Sequence, residues 1–236
     1  MKKLILVLAV LVWACSSVKA QESGLNFSVG ADLVSSYVWR GAYSAKASFQ
    51  PAASLSIGNF SLSAWASTEI VDLDEVRSQK EVDFTAGYSI AGLSLAITDY
   101  WWEGEGAYKY LKYGDGTAHL WEGSLGYTLP VESFPLSLSA NVIFAGADKK
   151  EEEDKNNYST YIEAFLPFAI KDINLSASLG ATPGKGLYAS QASVVNISLK
   201  ASKEIKITDS FSLPVFGQII LNPNAEDIFF VFGISL

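Results

Sequence analysis

The sequence predicts an all-β protein, a transmembrane antiparallel up-and-down β-barrel of about twelve strands. Apolar and polar residues alternate along nearly the whole chain, which is the pattern of strands with one apolar face. Short and long links between these segments also alternate, and membrane barrels pair short turns at one end with longer loops at the other. Beyond the N-terminal leader, no segment is both long and apolar enough for a spanning helix.

The alternating segments have the lengths that spanning strands require. A tilted transmembrane strand needs about 9–11 residues, and most segments reach that length. A dozen such strands would use about 120 residues and leave the remainder for loops, without a second domain. The apolar positions mark segments at 25–33, 49–57, 60–66, 82–88, 93–97, 121–127, 134–144, 162–168, 173–179, 195–199, 211–215 and 228–236.

The links between the segments form two interleaved sets. If both termini lie in the periplasm, the longer links all lie outside the cell, and the strand number is even. The short links are Gly58-Asn59, Ala91-Gly92, Pro130 to Pro135, Lys171-Asp172 and Glu204 to Asp209. The longer or more polar links lie around 37–47, 71–80, 102–118, 146–157, 182–190 and 222–227.

A soluble β-sandwich is the alternative, because its strands alternate too. A sandwich would carry Lys, Glu and Thr on its exposed face. Here the polar positions are mostly Ser, Gly, Asn and Ala with scattered acids, and the apolar face continues through every segment. The pattern therefore favours the barrel.

Residues 1–20 have the layout of a secretory signal peptide, with two lysines, an apolar run and small residues before Ala20. We therefore predict a signal peptide at 1–20 and a barrel at 21–236, located in the bacterial outer membrane. A membrane anchor and a lipoprotein signal at Cys15 are the alternatives. The apolar run is short for an anchor, and Trp13 fits a lipoprotein site badly. Cys15 is the only cysteine, so its removal leaves the mature chain without disulfides or cysteine ligands.

The chain closes on FFVFGISL, a strand with apolar residues at every second place up to Leu236. A C-terminal strand of this type is what the outer-membrane assembly machinery usually reads, although Phe is commoner than Leu at the last position. The expected partners are therefore the assembly machinery and outer-membrane lipid.

Aromatic residues gather at the predicted strand ends, where the rings of a membrane barrel line the interface with water. The alternative is that these rings pack on one another in the loops. They are Tyr37, Trp39, Tyr100 to Trp102, Tyr108, Tyr110, Tyr113, Trp121, Tyr158 and Tyr161.

If the apolar positions face lipid, the opposite parity faces the lumen, and each charged residue is assigned by counting. The lumen is then rich in carboxylates, which favour cations in a narrow pore. Alternatively the groups pair and plug the lumen, since barrels with few strands are often filled by their own side chains. On one straight strand Asp32 and Arg40 would lie about 26 Å apart, at about 3.3 Å per residue, so each is expected to bond a neighbouring strand. The lumen candidates are Asp32, Arg40, Glu69, Asp83, Glu122, Glu163 and Lys200.

The composition favours neither catalysis nor nucleic-acid binding. A formal net charge of −8 argues against a nucleic-acid partner, which selects a basic face. The only histidine, His119, has the lipid-facing parity of Trp121, and no serine lies in a nucleophile motif, so we expect no enzyme. We predict no cofactor and no dedicated metal site, because the charged run at 149–155 is typical of a solvated loop tip.

At Asp32 to Gly41 the chain reads DLVSSYVWRG. This segment resembles the start of the TorF-type porins, whose pattern is close to Asp-x-Val-Ser-x-Tyr-x-x-Arg-Gly. Ser36 stands where that family usually has an acidic residue. The likeness continues through Pro51-Ala52 and Trp65-Ala66-Ser67, so by motif it covers the first third of the chain. It implies an outer-membrane barrel and no catalytic residue. The matching positions are Asp32, Val34, Ser35, Tyr37, Arg40 and Gly41.

Two functions remain open from the sequence. One is a channel for small solutes, with a preference for cations that comes from the acidic lumen. The other is a closed barrel that acts as a structural or surface-interaction protein through its external loops. Ion conductance in a planar bilayer separates them.

Overall fold

The computed structural model describes residues 24–70, 80–102, 109–150 and 153–236. The predicted signal peptide at 1–20, with Cys15, and the aromatic position Tyr108 lie outside these ranges. No helix in the described ranges is long and apolar enough to cross a membrane.

All regular elements in these ranges are β-strands, twelve long and four short. The long strands are β1 (Leu25–Val34), β4 (Ser48–Ile57), β5 (Phe60–Glu69), β6 (Lys80–Ile90), β7 (Leu93–Trp102), β8 (His119–Thr128), β9 (Ser137–Gly146), β12 (Thr160–Ile170), β13 (Ile173–Thr182), β14 (Ser193–Lys206), β15 (Ser212–Asn222) and β16 (Asp227–Ser235). The short strands form two hairpins, β2 (Tyr37–Trp39) with β3 (Ala42–Ala45) and β10 (Lys149–Lys150) with β11 (Glu153–Asn156).

The twelve long strands close into one barrel. Each strand pairs antiparallel with the long strands next to it along the chain. β1 and β16 also pair and complete the ring. The fold predicted from the sequence, an antiparallel up-and-down barrel of twelve strands, is confirmed.

The barrel has a short-turn end and a long-loop end. Gly58-Asn59, Ala91-Gly92 and Lys171-Asp172 each join two strands at the short-turn end, and the longer links meet at the opposite end. Two predicted boundaries differ clearly from the structure. The segment predicted to begin at Phe134 begins at Ser137, and Phe134 lies in the preceding turn, where its N–H donates to the Val131 carbonyl. Residues 204–206 were expected in a turn, but they still pair with β15, so β14 runs on to Lys206.

The seam between β1 and β16 is the shortest pairing in the ring. Only Asp32 to Val34 are in register with Gly233 to Ser235, whereas other neighbours pair over six positions or more. Two backbone hydrogen bonds between Ala31 and Leu236, of 2.8 and 3.2 Å, extend the seam. The Ser35 hydroxyl accepts the N–H of Phe232 at 2.9 Å and so fixes the point where the chain leaves β1.

The outer wall of the barrel, which faces away from its axis, carries large apolar side chains without cover. Phe60 is 63% exposed and Phe232 64%, and Leu62 and Phe230 beside them are exposed as well. Soluble monomers rarely expose contiguous apolar patches beyond a few hundred Å². This wall has instead the character of a barrel surface that contacts lipid.

Candidate functional site

A short hairpin from the first long loop folds into the lumen instead of pointing away from the barrel. It consists of β2 and β3, joined at Arg40 and Gly41. Both residues have positive φ, 49° and 82°, as the two central residues of a type I′ turn require. Glycine adopts this backbone freely and arginine does not, so contacts of the arginine must offset the strain. We refer to residues 35–47 as the plug hairpin.

The expectation that Asp32 and Arg40 lie on one strand is wrong. β1 ends at Val34, and Arg40 lies at the tip of the plug hairpin. Asp32 remains on the inner wall, in register with Gln50 of β4. The assignment of side chains to the inner or outer wall by their alternation fails beyond Val34, because it presumes an unbroken strand.

The Arg40 guanidinium forms a bidentate ion pair with Glu122 of β8. Nη2 donates to Oε1 at 2.8 Å and Nη1 to Oε2 at 2.5 Å, and the Glu122 side chain is 1% exposed. The Tyr100 hydroxyl donates to the same carboxylate at 3.1 Å. Arg40 also donates to the hydroxyl of Tyr188, whose pKa is raised by burial, so this loop phenol stays neutral. Removing one member of a buried ion pair costs about 3–5 kcal/mol, because the other charge is left unpaired.

Aromatic rings enclose the Arg40 guanidinium. Its central carbon lies 4.6 Å from the ring centroids of both Trp39 and Tyr161, within cation–π range. Trp39 in turn packs edge-on against Tyr100 and Trp102, with centroids 5.6 and 5.4 Å apart. The prediction of an interfacial girdle is wrong for these four rings, because they point into the lumen. The alternative, that the rings pack on one another, describes them.

The plug hairpin also reaches the opposite side of the barrel. A Cβ at Gly41 would overlap the carbonyl oxygen of Val195 on β14, at 1.9 Å, so only glycine fits there. Asn222 of β15 donates from Nδ2 to the Gly41 carbonyl at 3.1 Å. Tyr43 stacks on Phe229 of β16, with centroids 6.3 Å apart. Together with the Arg40 contacts, these interactions span the lumen from wall to wall.

Carboxylates gather on the inner wall beside the plug hairpin. Glu81 and Asp83 lie two positions apart on β6, and Glu81 is buried and lines a small cavity together with Tyr37 of the hairpin. One oxygen of each carboxylate has no hydrogen-bond partner among the described residues. Glu163 on β12 accepts the Tyr161 hydroxyl at 2.6 Å. Glu81 is not among the predicted lumen residues, although it has the same parity as Asp83.

The other predicted lumen residues lie apart from Arg40. Glu69, at the end of β5, accepts the N–H of Lys46 at 2.9 Å and so holds the returning arm of the plug hairpin. Lys200 on β14 points inward, with its ammonium 3.8 Å from the ring centroid of Phe216. The structure therefore brings Arg40 together with Glu122, and it leaves Asp32, Glu69 and Lys200 in separate positions.

The lumen has two unlike halves. Toward the long-loop end, the plug hairpin and buried side chains such as Asn141 and Tyr161 fill it. Toward the short-turn end the inner wall carries small polar side chains, and Ser28, Ser61 and Ser94 are exposed there. We refer to this half as the serine cup. The exposed serines make the serine cup accessible to solvent, and the plug hairpin lies between it and the long-loop end.

A second feature lies on the outer wall. Asp99 and His119 face outward, as their parity predicts, yet His119 is only 1% exposed. Its Nδ1 lies 2.7 Å from Asp99 Oδ1, and its Nε2 donates to the Tyr110 carbonyl at 2.5 Å. The Tyr113 ring stacks on the imidazole at 4.1 Å. Residues 109–118, which we refer to as the strap, are thereby held against the wall above the pair.

The fold and the lumen define a closed β-barrel with an apolar outer wall and a plug formed by its own first loop. Within the described ranges, no group of three or more His, Cys, Asp or Glu side chains is arranged to hold a metal ion. Comparison with models of protein families found no match, and a search of curated proteins found no significant similarity. The resemblance to the TorF-type porins stays a prediction.

Proposed function

We propose that this chain is an outer-membrane β-barrel of the porin type, a channel for small solutes that is closed at rest by the plug hairpin. The membrane location is supported by the closed ring of strands, in which every long strand pairs on both sides, and by the uncovered apolar outer wall. The short turns would face the periplasm and the long loops the outside of the cell.

The observation that carries the channel proposal is the division of the lumen. The serine cup has exposed polar side chains, whereas the other half is filled by a loop hairpin in addition to side chains of the barrel wall such as Asn141 and Tyr161. A hairpin held by side-chain contacts can withdraw while the strand pairing stays intact. Withdrawal would join the serine cup to the outside and leave a passage through the barrel.

The inner wall also supports a preference for cations. Glu81, Asp83, Glu122 and Glu163 lie on the wall where the plug hairpin sits. Removing the hairpin removes Arg40, the cation paired with Glu122. A narrow passage lined by carboxylates favours cations over anions.

The second candidate is a barrel that never opens and works through its external loops. It is favoured by the burial of the Arg40–Glu122 pair, because breaking a buried ion pair is costly. Both candidates predict a closed resting state, so the resting conductance does not distinguish them.

Excision of the plug hairpin separates the two candidates. Val34 and Ser48 are register partners, so an Asn-Gly turn can replace residues 35–47, just as Gly58-Asn59 joins the partners Ile57 and Phe60. In a planar bilayer the excised barrel is expected to conduct with a cation preference that Glu122→Gln reduces, whereas the full chain stays closed. The control replaces residues 150–155 of the β10–β11 hairpin by Asn-Gly and should leave the barrel closed. An excised barrel that folds and does not conduct contradicts the channel proposal.

The membrane location has its own prediction. Leu179 lies on the outer wall of β13 and Ser178 on the inner wall. Leu179→Lys should lower the free energy of unfolding in lipid vesicles by up to about 2–4 kcal/mol, because it places a charge against lipid, and the effect is largest at the middle of the bilayer. Ser178→Lys, one residue away, should be tolerated. Urea unfolding in vesicles measures both, and equal effects would count against a lipid-facing outer wall.

A further inference from the structure

We propose that the outer wall beneath the strap binds a phosphorylated membrane lipid, with an acyl chain in the apolar grooves beside Tyr110 and the phosphate at Lys109 and Lys112. This inference rests on the proposed membrane location. Binding of such a lipid at the strap does not depend on whether solutes pass through the lumen.

The outer wall contains two apolar grooves that share Phe84 and Tyr110 as a common border. One has a volume of about 640 Å³ and the other of about 450 Å³. Small residues make the floor of the larger groove, where Ala53 and Ala64 are direct partners across β4 and β5. Bulkier side chains such as Leu62 form its sides. An elongated apolar depression in a lipid-facing wall is suited to an acyl chain.

The strap is fixed in a position that forms one side of these grooves. The Tyr110 ring packs edge-on against Phe84, with centroids 6.1 Å apart, and against Trp101, with centroids 5.7 Å apart. His119 holds the Tyr110 backbone through its carbonyl, as described above. The grooves are therefore bordered by residues that the fold positions and not by a freely moving loop.

The Asp99–His119 pair under the strap is compatible with an apolar ligand, because the pair carries no net charge. A hydrogen bond of 2.7 Å between Asp99 Oδ1 and His119 Nδ1 contains a proton, and a second proton lies between Nε2 and the Tyr110 carbonyl. With these two protons the pair carries no net charge, whichever group formally holds the first. The wall under the strap thus remains suitable for an apolar ligand.

The strap itself is amphipathic in the way that an interfacial segment requires. Leu111 is 84% exposed and stands between Lys109 and Lys112, which are exposed too. The smaller groove reaches Lys80 at the long-loop end of β6. Lys109 and Lys112 line a depression with Tyr110, the ring that borders both grooves. Two lysines beside an apolar groove match a phosphate headgroup above an acyl chain, although the net charge of the chain is −8. Asp115, also exposed, is the one acidic side chain within the strap.

The test measures lipid retention by the full chain in neutral detergent, using native mass spectrometry. The probes are phosphatidic acid, the diacylglycerol with the same acyl chains, and glycerol phosphate as the headgroup alone. The variants are Lys109→Ala with Lys112→Ala for the headgroup, and Ala64→Phe for the groove. Matched controls are Lys149→Ala with Lys150→Ala in another loop, and Ala177→Phe on the outer wall of β13.

Phosphatidic acid should be retained under conditions that strip diacylglycerol and glycerol phosphate. The double lysine variant should weaken its retention by about tenfold or more, the effect of two lysines beside an anionic headgroup. Ala64→Phe should also weaken retention of phosphatidic acid, and the controls should bind it like the unmodified chain. Equal retention of the two lipids, or equal effects of variants and controls, would overturn the lipid site. Heat-modifiable gel migration is checked first. A chain that does not fold as a barrel would contradict the proposed membrane location, whereas a folded barrel that does not retain phosphatidic acid would contradict the lipid site.

Discussion

Replacing Arg40 by methionine is expected to release the plug hairpin and open the channel. The variant leaves the buried Glu122 carboxylate without its guanidinium partner, and the neutral hydroxyls of Tyr100 and Ser124 cannot compensate the charge. The conformation with the hairpin inside the lumen, the seated state, should be destabilised by about 3–5 kcal/mol, the usual cost of leaving one member of a buried ion pair unpaired. The released hairpin should appear as cation-selective conductance in a planar bilayer where the unmodified chain is silent.

Two further variants make this result specific. Glu122→Gln in the Arg40→Met background removes the unpaired charge and should restore much of the seated state. Lys200→Met removes another inner-wall cation, which contacts the Phe216 ring, and should leave the channel closed. If Arg40→Met is as silent as the unmodified chain, or if Glu122→Gln fails to reverse its effect, the ion pair does not hold the plug.

Gly41→Ala is expected to unseat the plug hairpin by adding a single carbon atom. The new Cβ would lie 1.9 Å from the carbonyl oxygen of Val195, and a φ of 82° disfavours any side chain there. Steric overlap with a backbone atom together with the left-handed conformation should cost about 2–5 kcal/mol. The expected observation is again conductance, accompanied by proteolytic cleavage within residues 35–47.

Gly58→Ala is the matched control for this variant. Gly58 also has positive φ, 56°, but a Cβ there would meet nothing within 4 Å. It carries the conformational cost without the clash, so the channel should remain closed. If Gly41→Ala and Gly58→Ala conduct equally, the conductance comes from general destabilisation of the barrel and not from the clash with Val195.

The fold was predictable from the sequence because its main signal is local. Along every barrel strand, successive side chains point alternately outward and into the lumen, so a period of two in the sequence marks each strand. Turns such as Gly58-Asn59 and Ala91-Gly92 interrupt that period at residues that favour tight turns. The error at the end of β14 arose because Glu204 and Lys206 are charged, and charge at the end of a strand resembles a turn.

The site was only partly predictable, because it depends on a loop that folds inward. Parity placed Glu122 and Glu163 correctly on the inner wall, and it would have placed Glu81 there too. Nothing in the spacing of Trp39 and Arg40 distinguishes a loop that enters the lumen from one that leaves the barrel, and aromatic residues near strand ends are common at membrane interfaces. Tyr188 lies in a separate loop, and only the tertiary fold brings it to Arg40.

The resemblance to the TorF-type porins gains a physical interpretation from these contacts. Ser35 fixes the exit from β1, Tyr37 lies beside Glu81, Arg40 pairs with Glu122, and Gly41 fits against Val195. Four of the six matching positions of the motif thus act on the plug hairpin. We expect a chain with this motif to carry a similar plug.

Cysteine accessibility tests the central claim, a lumen closed from outside and open from the periplasm, most directly. The only native cysteine lies in the predicted signal peptide, so single cysteines can be introduced without background. Ser94→Cys lies in the serine cup, and a membrane-impermeant maleimide should label it only after the outer membrane of the cells is permeabilised. In the barrel with the plug hairpin excised, the same cysteine should be labelled from outside intact cells. Labelling from outside in the full chain would contradict a closed resting state.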